Sequence, residues 1–152
     1  MVNWLNSSAT EVDQEVPSAT QLRVRYADTD AAGIVHYARY LVFFEAGRAE
    51  AIRQLGSLDA EVAACALAAP VLEATIRYRA PATFDEVLVI QTKVVDIANA
   101  RFRFAYEIRR AADQILIATG ETLHAWTGVD SSHTDDLPDW FRTALEQLRA
   151  AD

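Results

Sequence analysis

The run Arg101-Phe102-Arg103-Phe104-Ala105-Tyr106-Glu107-Ile108-Arg109 alternates large apolar residues with polar ones, the small Ala105 taking one outward place. Successive strand side chains point to opposite faces, so this is a half-buried strand with Phe102, Phe104, Tyr106 and Ile108 turned inward. Such a strand needs paired neighbours and an apolar cover for its inner face. Residues 71–79, 87–96 and 114–126 read as the neighbouring strands, and the short polar connections at 97–100 and 111–113 imply antiparallel hairpins. A fifth short strand, 21–26, alternates Gln21, Arg23 and Arg25 against Leu22, Val24 and Tyr26.

The cover is a helix over residues 37–55, ended by Gly56 at a C′ position. Leu41, Phe44, Ala51, Ile52 and Leu55 share one stripe of it, and Arg39, Glu50 and Arg53 the opposite one. Ala46, Gly47 and Ala49 are small enough to let a sheet approach closely. Arg48 falls inside the apolar stripe. A charge there must be paired, so Glu45, three residues earlier, is its expected partner. A short helix follows at 59–66, with Asp59 as N-cap. Pro138 suits the first turn of a final helix over 139–149, which docks through Trp140, Leu145 and Leu148. Residues 1–20 are polar and aperiodic and read as a disordered or loosely docked extension. The order is strand, long helix, short helix, four strands and terminal helix, an α+β fold in one domain over 21–152.

Charge and cysteine usage narrow the function classes. A formal net charge of −8 argues against non-specific nucleic-acid binding. The single cysteine, Cys65, excludes an intrachain disulfide framework and fits a reducing compartment. With no secretory signal and no apolar run of about 20 residues, the chain reads as cytoplasmic with no membrane span. No GxSxG elbow, P-loop or GxGxxG fingerprint occurs, and His36, His124 and His133 have no metal-ligand spacing, so no metal site is expected.

One loop carries the chemistry. Tyr26-Ala-Asp28-Thr-Asp30-Ala-Ala-Gly33-Ile-Val-His36-Tyr37-Ala-Arg39-Tyr40 runs from the first strand into the long helix. A helix start presents unpaired N–H groups and the positive end of the dipole, and a carboxylate beside it can prepare water or attack a carbonyl. The commoner role of each residue is structural: Asp28 and Asp30 as turn caps, Gly33 as a turn glycine, His36 as a satisfied hydrogen-bonding residue. The arginines Arg77 and Arg79 on one strand, and Arg101, Arg103 and Arg109 on another, read mainly as a solvated sheet face, from which a few could meet phosphates.

The same loop, continued through Phe44-Glu45-Ala-Gly-Arg48-Ala-Glu50 and Tyr78-Arg79-Ala-Pro81-Ala-Thr-Phe84-Asp85-Glu86, resembles the hotdog-fold acyl-CoA thioesterases of the 4-hydroxybenzoyl-CoA thioesterase type and their Tol–Pal-associated relatives. The resemblance covers about residues 20–127. It implies a hotdog fold, in which a five-stranded antiparallel sheet wraps a long central helix. It also implies a homodimer or homotetramer with active sites at the subunit interface, and hydrolysis of an acyl-CoA substrate without a cofactor. By position, Asp30 is the catalytic carboxylate, acting as nucleophile or general base, and the Tyr37 backbone N–H polarises the thioester carbonyl. Gly33 and Tyr40 are implied substrate-binding residues, and His36 assists, orients or shapes the acyl pocket. Tyr37, Tyr40, Val71 and residues 66–69 line that pocket. The hairpin that supplies basic residues to the CoA nucleotide reads Ala98-Asn99-Ala100-Arg101 here, leaving Arg101, with Arg79 as a further phosphate-binding candidate.

Three other functions fit parts of this pattern. An acyl-carrier protein could replace CoA if a local arginine patch met its acidic surface. A hotdog hydratase or dehydratase would pair His36 with Glu50. A non-catalytic acyl-binding scaffold would keep the fold without the reaction.

Overall fold

A computed structural model describes residues 18–55, 69–127 and 133–149. Its strands are β1 (Ser18–Arg23), β2 (Val71–Tyr78), β3 (Val87–Ile97), β4 (Arg101–Arg110) and β5 (Leu116–Ala125), and its helices are α1 (Arg39–Gln54) and α2 (Asp139–Gln147). The strands form one antiparallel sheet in the order β1-β3-β4-β5-β2. The four strands expected after the helix are all present within two residues of the expected bounds. The expected short helix at 59–66, the Gly56 cap and residues 1–17 lie outside the described residues.

The inner face is the one the alternation marked. Phe102, Phe104, Tyr106 and Ile108 are buried, with Leu88, Ile90 and Val94 beside them on β3. Against this face lies α1, with Tyr40, Phe43, Phe44, Gly47, Ala51 and Ile52 buried. Phe44 stacks on Tyr106 with centroids 4.4 Å apart. It fits because the β5 residue facing Tyr106 is Gly120, where a Cβ would strike the Phe44 ring and the Thr75 carbonyl. Gly47 plays the same part on the helix side: a Cβ there would lie 2.7 Å from Ile90 Cγ2 and Thr92 Oγ1. The close approach expected of the small residues is thus made by Gly47, while Ala46 is exposed.

Several expectations are corrected. The first strand begins at Ser18 and ends at Arg23; Tyr26 belongs to a 3-10 turn, Tyr26–Asp28. The long helix starts at Arg39 rather than Tyr37 and has 16 residues. Leu41 is exposed, because the buried stripe is centred on Phe44, Gly47 and Ala51 instead. The expected Glu45–Arg48 contact is not formed. Arg48 turns into the core and donates from Nη1 to the Tyr106 hydroxyl at 3.1 Å. On α2, Trp140 is 44% exposed, and the anchor is Phe141, which meets Phe102 edge-on at 5.3 Å and Trp126 at 4.5 Å.

The outer sheet face carries the arginines. Arg103 pairs with Glu121 and Glu73, and Arg109 with Glu107. Glu107 is buried, and that burial raises its pKa against the opposing pull of Arg109. On the edge strand β2, every residue but Ile76 is exposed.

Candidate active site

β1 leads through Val24 into the 3-10 turn, and the chain then doubles back as a miniature hairpin. Thr29 and Val35 form an antiparallel bridge, and Ile34 bridges to Thr83. At the tip, the Gly33 N–H donates to the Asp30 carbonyl at 3.0 Å and the Asp30 N–H to the Ile34 carbonyl at 2.9 Å. Gly33 has φ +80 with no atom within 4 Å of a Cβ position, so the backbone angle, not crowding, calls for glycine here.

Asp30 is half-buried at this tip. Its Oδ1 accepts the Ala32 N–H at 2.8 Å, an Asx turn, so the capping role does exist. Its Oδ2 has no protein hydrogen bond among the described residues. Capping uses one oxygen and leaves the other available.

The chain then turns into α1 without a Ser, Thr, Asp or Asn cap. His36 braces the approach to the helix instead: its Nδ1 accepts the Ala38 N–H at 3.2 Å, one residue ahead of the first helical position. The His36 N–H is itself taken by the Asp28 carbonyl at 2.9 Å. Between these two bonded donors, the Tyr37 N–H has no acceptor among the described residues. The Tyr37 carbonyl accepts the Tyr78 hydroxyl at 2.8 Å, tying the end of β2 to the helix start. Sequence reasoning gave no sign of that strap, since it joins residues 41 positions apart.

Asp28 has a different environment from Asp30. It is 1% exposed and ion-paired to Arg25 and Arg39. Burial alone would raise its pKa, but hydrogen bonds from the Arg25 side chain and backbone and from Arg39 outweigh it and hold the carboxyl below its ordinary value.

Asp30, Gly33, His36 and Tyr37 therefore share one end of the sheet, and Arg79 follows Tyr78 at the same end, exposed. Tyr40 lies beneath, 3% exposed, edge-on to Tyr78 at 5.4 Å; burial, with Tyr78 and Glu86, pushes its pKa up to about 12. Arg101 is not brought there within one chain. It opens β4, whose far end, Arg110, pairs with Glu86 beside the hairpin. Ten residues of strand put roughly 30 Å between the two ends. Glu50 does not approach His36: it pairs with Arg53 at 3.1 Å, three turns along α1. No cluster of three or more metal-ligating side chains occurs among the described residues.

A model of the thioesterase-like superfamily matches residues 24–145. The chain belongs to this superfamily. It is similar to a Bacillus subtilis protein provisionally named acyl-CoA thioesterase YneP, at 31% identity over 87% of this chain and 97% of that one. It also resembles the Escherichia coli O157:H7 acyl-CoA thioester hydrolase YbgC, at 35% identity over 62% of this chain and 71% of the other. Among solved structures, the Synechocystis 1,4-dihydroxy-2-naphthoyl-CoA thioesterase superposes with a TM-score of 0.73 at 25% identity, covering 86% of this chain and 96% of that one. The resemblance noted in the sequence is thus a family relationship, and the five-stranded antiparallel sheet with its helices is consistent with the hotdog fold.

Proposed function

We propose that this protein hydrolyses an acyl-CoA thioester at the Asp30 loop. The observation that carries the reading is the pairing of a half-used carboxylate with an unused helix-start donor. Asp30 has one oxygen held by Ala32 and the other open, and the Tyr37 N–H lacks an acceptor. The thioester carbonyl binds with its oxygen at the Tyr37 N–H, where the helix dipole stabilises negative charge developing on it. Asp30 Oδ2 attacks the carbonyl carbon or takes a proton from an attacking water. With water as the attacking group, the C–S bond breaks, CoA leaves as its thiolate and water supplies the hydroxyl of the free acid. With Asp30 as the attacking group, the C–S bond breaks to leave an acyl–Asp30 anhydride, which water then hydrolyses to the free acid and the Asp30 carboxylate. The two courses need the same placement of Asp30. Single-turnover reaction in H₂¹⁸O identifies direct attack when label enters the Asp30 carboxyl, which happens when water opens the anhydride at Asp30. The hydratase reading loses its acid, since Glu50 is engaged by Arg53.

In this reading the working unit is a homodimer. Ile34, Tyr37, Leu41, Val42 and Tyr78 are exposed. Among the described residues β2, eight residues long, is an edge strand with no further strand beside it, and another strand could pair with that edge. Antiparallel pairing of β2 with its copy sets the first residues of one strand beside the last of the other. That brings the Arg101 of the partner subunit toward this Asp30 end, because Arg101 pairs with Ala125 and Ala125 bonds to Pro70 at the start of β2.

Free-thiol release from acetyl-, octanoyl-, palmitoyl- and benzoyl-CoA tests the activity and reads its acyl preference. Thiol release from none of the four, by folded protein, would overturn it.

A further inference from the structure

Helix α1 has a weak beginning. Its N-cap residue is Ala38, no acidic residue stands in its first turn, and its first residue is a cation, Arg39, where the helix dipole disfavours positive charge. The missing carboxylate comes from outside the helix. Asp28 Oδ1 accepts from Arg39 Nε at 2.9 Å and lies 2.7 Å from Arg39 Nη2, while Oδ2 accepts the Arg25 N–H at 2.8 Å. The Arg25 Nη2 adds a further bond to Oδ1 at 3.1 Å. Through its own carbonyl, Asp28 also holds the His36 N–H at 2.9 Å.

One buried residue therefore grips Arg25 just beyond β1, the return arm of the hairpin and the first turn of α1. The two groups proposed to do the chemistry sit on either side of it: Asp30 is two residues along the chain, and Tyr37 follows His36 and precedes Arg39 by two. We propose that the Asp28–Arg39 ion pair is a positioning device that sets the separation between the Asp30 carboxylate and the Tyr37 N–H. Arg39 is accordingly a positioning residue: it touches neither substrate nor reacting atoms and acts through the start of the helix. This rests on the thioesterase reading above.

Arg39 Nε and Nη2 converge on the one oxygen Asp28 Oδ1, and the planar guanidinium fixes their relative placement, so the pair restrains how far the helix start can stand from Asp28. Misplacing a catalytic group by about 1 Å can cost on the order of 100-fold in rate. Arg25 keeps its bonds to Asp28 when Arg39 is changed, so an Arg39 variant retains a paired Asp28 and can fold.

The test uses the full chain on the most active of the four acyl-CoA substrates, well below the melting temperature. Arg39→Gln is expected to lower kcat by roughly 10- to 100-fold with KM within about threefold. Arg39→Lys, which keeps the charge and one donor, is expected to recover a large part of that loss. A folded Arg39→Gln protein with kcat within twofold of wild type overturns the inference. So does a change confined to KM, or an Arg39→Lys protein no faster than Arg39→Gln. Asp30→Asn in the same series keeps the two readings apart: if that variant stays active the thioesterase mechanism itself fails, whatever Arg39 does.

Discussion

The Tyr78 hydroxyl donates to the Tyr37 carbonyl at 2.8 Å, so the last residue of the edge strand grips the residue whose N–H is the proposed carbonyl donor. This one bond couples the edge strand β2 to the proposed reaction centre. Tyr78→Phe removes it while keeping the ring against Tyr40. A single exposed hydrogen bond contributes about 1 kcal/mol, so the melting temperature is expected to move by only a few degrees. Turnover is expected to fall several-fold at nearly constant KM, as measured by thiol release.

Two glycines are expected to fail in opposite ways. Gly33→Ala meets open space but must hold φ +80, at a cost of about 1–2 kcal/mol, and it redirects the Asp30 turn. Gly120→Ala meets the Phe44 ring and the Thr75 carbonyl inside the core, an overpacking cost of about 1–3 kcal/mol. Urea melts and kcat measured together are expected to show the larger kcat loss for Gly33→Ala. The larger loss per unit of remaining activity is expected in stability for Gly120→Ala.

Arg48 is a buried cation whose one hydrogen bond among the described residues goes to the Tyr106 hydroxyl, and its Nε has no partner there. Removing one member of a buried ion pair is costly because it strands the other charge; among the described residues no acid pairs with Arg48 to be stranded. Arg48→Met is therefore expected to leave unfolding free energy within about 1 kcal/mol of wild type or to raise it. A loss of several kcal/mol in a urea melt would contradict this.

His124 sits at the other end of the same polar chain. Its Nδ1 faces the Ala69 carbonyl at 3.2 Å, and a carbonyl only accepts, so Nδ1 carries the proton. Nε2 then accepts from the Thr122 hydroxyl at 2.7 Å, and Thr122 in turn accepts from Tyr106 at 2.7 Å. Burial, aided by the Arg48 charge, lowers the His124 pKa from 6.5 to about 4. The folded state thus resists a proton that the unfolded chain accepts. The stability contribution is fully present above pH 6.5 and is lost as pH falls toward 4. Between pH 7.5 and 4.5, wild type is expected to lose about 2 to 3 kcal/mol more than His124→Asn. Parallel pH profiles for the two proteins would contradict the assignment.

Much of the sheet was legible because burial on one face imposes a period of two. The alternation at 101–109 located Phe102, Phe104, Tyr106 and Ile108 correctly. Helix detail was less legible. Arg48 was read as a partner for Glu45 because sequence shows neighbours along the helix, whereas its actual partner lies 58 residues away on β4. The Asp30 loop was visible as a cluster of polar residues, but its hairpin geometry and the deep burial of Asp28 depend on arginines from two separate elements. Arg101 could not be placed at all until strand order was known, since only the topology sets it at the opposite end of the sheet from Asp30.

The proposed chemistry depends on Asp30, whose carboxylate differs from an amide in its charge and in having an acceptor oxygen where the amide has an NH₂ donor. Asp30→Asn retains an oxygen for the Ala32 N–H, so the loop is expected to fold as in wild type. The direct measurement is kcat for this variant on the best acyl-CoA substrate, alongside its melting temperature. A folded protein slowed by roughly 10²- to 10⁴-fold is the expected result. A folded Asp30→Asn protein turning over at the wild-type rate would contradict the mechanism.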